Sequence, residues 1–176
     1  MMDISKNFFE FIGLPVSFDI DQSELADRSR ELQKKLHPDR YAHLSDREQR
    51  MSVQYMSFLN EGVATLRSPL LRAQYLLLLQ GIDTESESST PIAPMFLMQQ
   101  MELRERLEEI PDQDDPYAEL ENLLAEVEGM LKALREQFAQ DYQEGALTAA
   151  TETVRKMQFL EKLVVEIERL EDRLDG

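Results

Sequence analysis

The sequence predicts an all-α protein of two helical modules: an N-terminal part built around a helical hairpin, and a C-terminal antiparallel three-helix bundle. Three observations predict it. Leu, Glu, Gln, Ala and Arg dominate while Val and Ile are sparse, and no Asn-Gly or Asp-Gly hairpin signal occurs, a balance that favours helix over strand. Apolar residues recur at three- and four-residue spacing through the long segments, the period of a helix with one buried face. Ser, Asp, Pro and Gly stand where such helices should begin and end.

Asn7 to Gly13 contains Phe8, Phe9, Phe11 and Ile12 and reads as a short buried helix stopped by Gly13 and Pro15. Val16 to Ile20 is expected to be an extended link. Asp21 is a good N-cap, and Glu24 three positions later completes a capping-box pattern. Leu25, Leu32 and Leu36 then share a face, predicting a helix over about 22–36, which Pro38 ends because residues before proline avoid helix. Ser45 with Glu48 opens the next helix, whose stripe is Met51, Tyr55, Phe58, Leu59, Gly62 and Leu66. The connection of about eight residues, His37 to Leu44, predicts an antiparallel hairpin, with the aromatic helix covering its open side. Ser68-Pro69 starts a further helical run ended by Gly81.

The segment Gly81–Ala93, rich in Ser, Thr, Pro and acidic residues, reads as a linker. It separates an N-terminal module over 1–80 from a bundle over 94–176. The bundle helices are expected at about 94–110, 116–144 and 147–174, bounded by Pro94, Pro111, Asp115-Pro116 and Gly145. Met157, Leu160, Val164, Ile167 and Leu174 of the last helix are its predicted core positions.

The chain has no cysteine, which excludes disulfides, zinc–thiolate sites and a thiol nucleophile. Its N-terminus lacks the pattern of a secretory signal, and its most apolar stretch, Tyr75 to Leu79, is too short to span a bilayer. A cytoplasmic location with no membrane partner is expected, although a processed organellar protein would look similar. The net charge of −16 argues against nucleic-acid binding, which needs Lys and Arg on the phosphates. The charge is uneven: residues 1–75 hold 10 basic and 11 acidic residues, residues 76–176 hold 9 and 24. Two modules with different partners fit that asymmetry, as do acidic helices that merely stay soluble.

His37-Pro38-Asp39 stands between the two hairpin helices, with Lys34, Lys35 and Arg40 crowding its approach. On the helical wheel Arg30 and Lys34 point away from the leucine face, and Arg28 and Lys35 lie on a flank with Glu24 and Glu31. Alone, these bases read as a solvated face that complements the helix dipole; beside the tripeptide they read as a positive patch for an acidic partner surface. In the bundle, Phe96, Leu103, Leu107 and Ile110 line one side of the first helix and read as core. Leu97, Met98 and Met101 lie on roughly the opposite side with Glu102, Glu105 and Glu109, an apolar patch rimmed by acids. The competing reading is a helix buried on two sides. Phe159 sits off the main stripe of the last helix, where it can lie beside that patch.

Residues 7–66 resemble a J-domain, the module of DnaJ-type co-chaperones: a first aromatic helix, a basic second helix, His-Pro-Asp, and a third helix containing FLNEGVATLRSP. Nearly the whole chain resembles the HscB family of iron–sulfur cluster assembly, through PLLRAQYLL (69–77), FLMQQMELRERLEEI (96–110) and TVRKMQFLEKL (153–163). The resemblance implies that His37, Pro38 and Asp39, supported by Arg28, Lys34, Lys35 and Arg40, bind an HscA/DnaK-class chaperone and stimulate its ATPase. It also implies that Leu97, Met98, Met101, Glu102, Glu105, Glu109 and Phe159 hold an IscU-like scaffold protein. Arg40 stands where many J-domains have Lys, which keeps the charge but not the geometry. The absence of cysteine fits the bacterial form, since eukaryotic relatives often carry a cysteine-rich N-terminal segment.

An enzyme is not expected, and no cofactor. Both histidines, His37 and His43, lie in one loop; a metal site with Asp39 or Asp46 lacks a further ligand, and no Gly-rich loop could hold ATP. Two rivals remain at this stage: a generic J-protein that hands unfolded clients to a DnaK-class chaperone, and a helical structural protein in which the tripeptide is accidental.

Overall fold

The computed structural model describes residues 6–84 and 92–176. Among the described residues the regular structure is helical throughout. Most of the segment expected to be a linker, residues 85–91, lies outside the described residues, as do residues 1–5 of the thirteen read for a signal. The chain divides into two compact units, Met1–Gln80 and Gly81–Gly176.

In the first unit, α1 (Phe8–Ile12) is followed by α2 (Gln22–Leu36), a 3-10 turn (Pro38–Tyr41), α3 (Asp46–Arg67) and α4 (Pro69–Leu79). The Asp21 carboxylate caps α2, accepting from the N–H groups of Ser23 (2.9 Å) and Glu24 (3.2 Å), worth about 1 kcal/mol. Only half of the expected capping box forms, because the Glu24 carboxylate turns away to pair with Arg28 Nε at 2.9 Å. The buried face of α2 is Leu25, Ser29 and Leu36, with Leu32 half-buried. Ser29 is tolerated there because its hydroxyl donates to the Leu25 carbonyl at 2.6 Å.

Along α3 the buried positions are Ser52, Tyr55, Leu59, Gly62 and Leu66, whereas the expected core members Met51 and Phe58 are half-buried. Gly62 matters by its missing side chain: a Cβ there would stand 2.9 Å from the Phe8 ring. That notch lets α1 lie against α3, with Phe8 stacked on Tyr75 (centroids 4.7 Å apart) and tilted on Phe58 (4.9 Å). The chain leaves α1 through Gly13 at φ +91°, a left-handed conformation that suits glycine. The link that follows is not simply extended; Phe18 is buried in it, under the Arg72 guanidinium at 4.7 Å. Arg72 is itself buried and donates to the Leu66 carbonyl at 2.6 Å, closing the end of α3.

The second unit holds α5 (Pro94–Glu109), a short 3-10 turn (Ile110–Asp112), α6 (Pro116–Gln143) and α7 (Leu147–Asp175). Cross-helix bonds give the directions. Tyr117 Oη donates to the Leu174 carbonyl (3.0 Å) at one end of the α6–α7 pair, and Arg135 meets Glu161 (3.1 Å) further along, so the two run antiparallel. Phe96 lies on Phe159 and Arg104 pairs with Glu166 at 2.6 Å, so α5 runs parallel to α7; Arg106 pairs with Glu126 of α6. This is the expected up-down-up bundle. Its core differs from the expected stripe in α7, where Leu163 and Leu170 are buried and Val164 and Leu174 half-buried. A helix facing two neighbours buries a stripe wider than one heptad seam, so single-seam spacing misplaces its edges.

Candidate functional site

Two surfaces carry the residues singled out by the sequence, one on each unit. On the first, Leu36 ends the buried face of α2 and His37 leaves the helix with extended backbone, φ −55° and ψ 131°. Pro38 begins the 3-10 turn, where its missing N–H costs nothing. The turn is closed by Arg40 N–H donating to the His37 carbonyl at 3.0 Å, and by Asp39 N–H donating to His37 Nδ1 at 3.2 Å. In this bond the imidazole accepts from its own turn, and the His37 side chain is 57% exposed. The Asp39 side chain is 92% exposed, with an oxygen 3.5 Å from His37 Nδ1.

Arg30, Gln33, Lys34, His37 and Arg40 line one shallow depression. Arg28 and Lys35, seven residues apart, share the other flank of α2. The structure therefore splits the expected positive patch: Lys34, His37 and Arg40 come together with Arg30 and Gln33, and Arg28 and Lys35 do not join them. Arg30 is paired with Asp27, and Arg28 with Glu24. Among the described residues, Lys34, Lys35 and Arg40 have no carboxylate within salt-bridge distance. Two uncompensated cations, Lys34 and Arg40, beside an exposed carboxylate and an exposed imidazole form a charge pattern presented outward, suited to an acidic partner surface.

The support of this loop was not read from the sequence. Ser52, buried on α3, donates its hydroxyl to the Leu36 carbonyl at 2.9 Å. One turn earlier, Gln49 Nε2 donates to the carbonyls of Ala42 (3.0 Å) and Leu44 (3.1 Å). A polar residue at a core position of an otherwise apolar stripe was the signal available for Ser52; Gln49 gave none.

On the second unit, Phe96, Gln100 and Leu103 form the buried side of α5, Leu107 is half-buried, and Ile110, which opens the 3-10 turn after it, is buried. Leu97 is exposed with Met98 and Met101 at 63% and 61%, so the helix is not buried on two sides. Met95, unremarked in the sequence, is 84% exposed one turn before Met98. Glu102, Glu105 and Glu109 are exposed along the same helix. The helix is thus apolar and methionine-rich in its first half and acidic in its second. Phe159 of α7 is half-buried and sets its ring edge-on to Phe96, in the first turn of α5, at 6.3 Å. Among the described residues, no cluster of His, Asp or Glu is placed to hold a metal ion, and no helix is long and apolar enough to cross a membrane.

An exposed His-Pro-Asp turn between two antiparallel helices, braced by a short aromatic helix, defines a J-domain co-chaperone. Comparison with known proteins carries this to a family. The profile described as the HSCB C-terminal oligomerisation domain matches residues 92–168. The chain is 43% identical over 171 residues to the co-chaperone protein HscB homolog of Shewanella loihica, covering 96% of this chain and 99% of that one. Its fold matches the chaperone HscB from Vibrio cholerae with a TM-score of 0.87 at 41% identity, over 96% and 99% of the two chains. The crystal structure of human co-chaperone protein HscB shares the fold at TM-score 0.87 and 24% identity, over 96% of this chain and 84% of that one. The chain belongs to the HscB family of J-domain co-chaperones.

Proposed function

We propose that this chain stimulates ATP hydrolysis by an HscA/DnaK-class chaperone and delivers to it an IscU-like scaffold protein carrying a nascent iron–sulfur cluster. The observation that carries the reading is the His37-Pro38-Asp39 turn, closed by its own hydrogen bonds, with exposed side chains beside uncompensated Lys34 and Arg40. In this reading the turn engages the ATPase, while Lys34 and Arg40, with Arg28 and Lys35 on the far flank, attract its acidic surface. The nucleotide is held by the chaperone. Leu97, Met98, Met101, Glu102, Glu105 and Glu109, with Phe159 behind them, form the scaffold's docking face. Holding scaffold and chaperone on one chain raises their effective concentration and couples delivery to ATP turnover.

The test is steady-state ATP hydrolysis by the chaperone alone, with this protein, and with its His37→Gln variant, each with and without scaffold. Stimulation should disappear in the variant and grow further with scaffold. Stimulation indifferent to scaffold would leave a generic co-chaperone for unfolded clients, and no stimulation of either chaperone class would sink the reading. A Leu97/Met98/Met101 triple-Ala variant should bind scaffold at least about 100-fold more weakly, the scale for removing clustered anchor residues, while stimulating the scaffold-free chaperone as before.

A further inference from the structure

The carbonyl oxygens that flank the His37-Pro38-Asp39 turn are held by one face of α3. Ser52 and Gln49 are three residues apart and so lie one above the other on that helix. Ser52 Oγ takes the Leu36 carbonyl, the last before the tripeptide, at 2.9 Å. Gln49 Nε2 takes the Ala42 and Leu44 carbonyls on the returning limb, at 3.0 and 3.1 Å. Between these anchors the turn has only local bonds: Asp39 N–H to His37 Nδ1, Arg40 N–H to the His37 carbonyl and Leu44 N–H to the Tyr41 carbonyl. Pro38 and Asp39 are exposed, and Tyr41 is half-buried. Bonds within the turn hold its own shape but do not tie it to α3; each hydrogen bond to α3 adds about 1 kcal/mol net toward one position.

We propose that Gln49 and Ser52 are positioning residues that buckle both limbs of the His37-Pro38-Asp39 turn to α3 and so present it ready-made to the chaperone. The inference rests on the function proposed above. A loop that must be ordered at the moment of binding weakens apparent affinity by the fraction of time it is competent, and leaves the saturated complex intact. The buckle therefore acts on the concentration of co-chaperone needed, not on the turnover reached.

The full chain carrying Gln49→Leu, which keeps size and helix preference but removes the donor, is titrated into the chaperone beside wild type, Ser52→Ala and His37→Gln. The same proteins are followed by amide hydrogen exchange. Gln49→Leu should raise the half-stimulating concentration about fivefold with the plateau unchanged, as expected for a competent fraction of about one-fifth. The Arg40 and Leu44 amides should exchange faster while those of Leu25 and Leu59 keep wild-type protection. Ser52→Ala should give the same signature, and His37→Gln should lose the plateau itself. A lower plateau at unchanged half-stimulation in Gln49→Leu would make Gln49 a direct contact and overturn the positioning role. So would faster exchange without any shift in the titration. If wild type itself fails to stimulate, the function reading falls; unchanged exchange at Arg40 and Leu44 in Gln49→Leu would then overturn the buckle as well.

Discussion

The two units present their candidate surfaces by different physical means. On the first unit the surface is a turn shaped by its own hydrogen bonds, with flanking carbonyls that are taken by Ser52 and Gln49 of a neighbouring helix. On the second it is the outer face of α5, whose backbone is satisfied within the helix and whose side chains need only the bundle beneath them. The first unit is nearly neutral overall yet leaves local cations uncompensated at the turn; the second is strongly acidic, and three of its nine basic residues tie helix to helix, in Arg104–Glu166, Arg106–Glu126 and Arg135–Glu161. A loop surface is thus fragile to small polar changes nearby, and a helix-face surface to loss of the core underneath.

The comparison breaks most visibly at Leu123, fully buried on α6. Leu123→Ala should destabilise the second unit by about 3 kcal/mol through lost transfer energy and a cavity. Chemical denaturation should show that loss together with weaker scaffold binding, while chaperone stimulation without scaffold survives. The mirror change is Gly62→Ala, which drives a methyl to 2.9 Å from the Phe8 ring. Overpacking should outweigh the gain in helix preference and cost about 1–2 kcal/mol net, read as a lower midpoint for the first unit alone.

A subtler probe is Tyr75, whose phenol accepts the Phe8 N–H at 3.0 Å and whose burial holds its pKa above the ordinary value. Tyr75→Phe should cost about 1 kcal/mol at neutral pH through the lost hydrogen bond. A pKa raised on folding means stability that is complete below the unfolded value of 10.0 and lost as pH rises through the folded value. Wild type should therefore lose stability above about pH 10 in excess of the variant, seen in paired melts across that range. The smallest effect is expected at the surface: Arg104→Met, which breaks the pair with Glu166, should shift stability by at most about 1 kcal/mol, and less in high salt.

The helices themselves were legible because their signals are local. Asp21, Ser45, Ser68 and Asp115 each accept the N–H bonds their positions predict, and the α5 wheel separates Met98 and Met101 from Phe96 and Leu103 as the fold does. The His37-Pro38-Asp39 tripeptide was legible as a motif, and its bases as neighbours in sequence. What the wheel could not give was their division into two flanks, since Arg40 lies beyond the helix and joins Arg30 and Lys34 only through the geometry of the turn. Nor could it give Gln49, whose partners depend on where the returning limb passes. One core position in α7 was misplaced by one residue for a similar reason: Leu163 and Val164 are both apolar, and only the position of α5 and α6 decides which of them is covered.

The glycine notch under Phe8 also sets an order of assembly. A helix of five residues cannot persist alone, because nucleation fixes as many dihedrals as so short a segment can repay. α1 therefore forms only once α3 offers the notch and α4 offers Tyr75, and its amides should be the first in the unit to exchange and the last to gain protection on refolding. The first aromatic segment of the chain is in this sense a late arrival: it waits for helices synthesised after it and closes over them when they are in place.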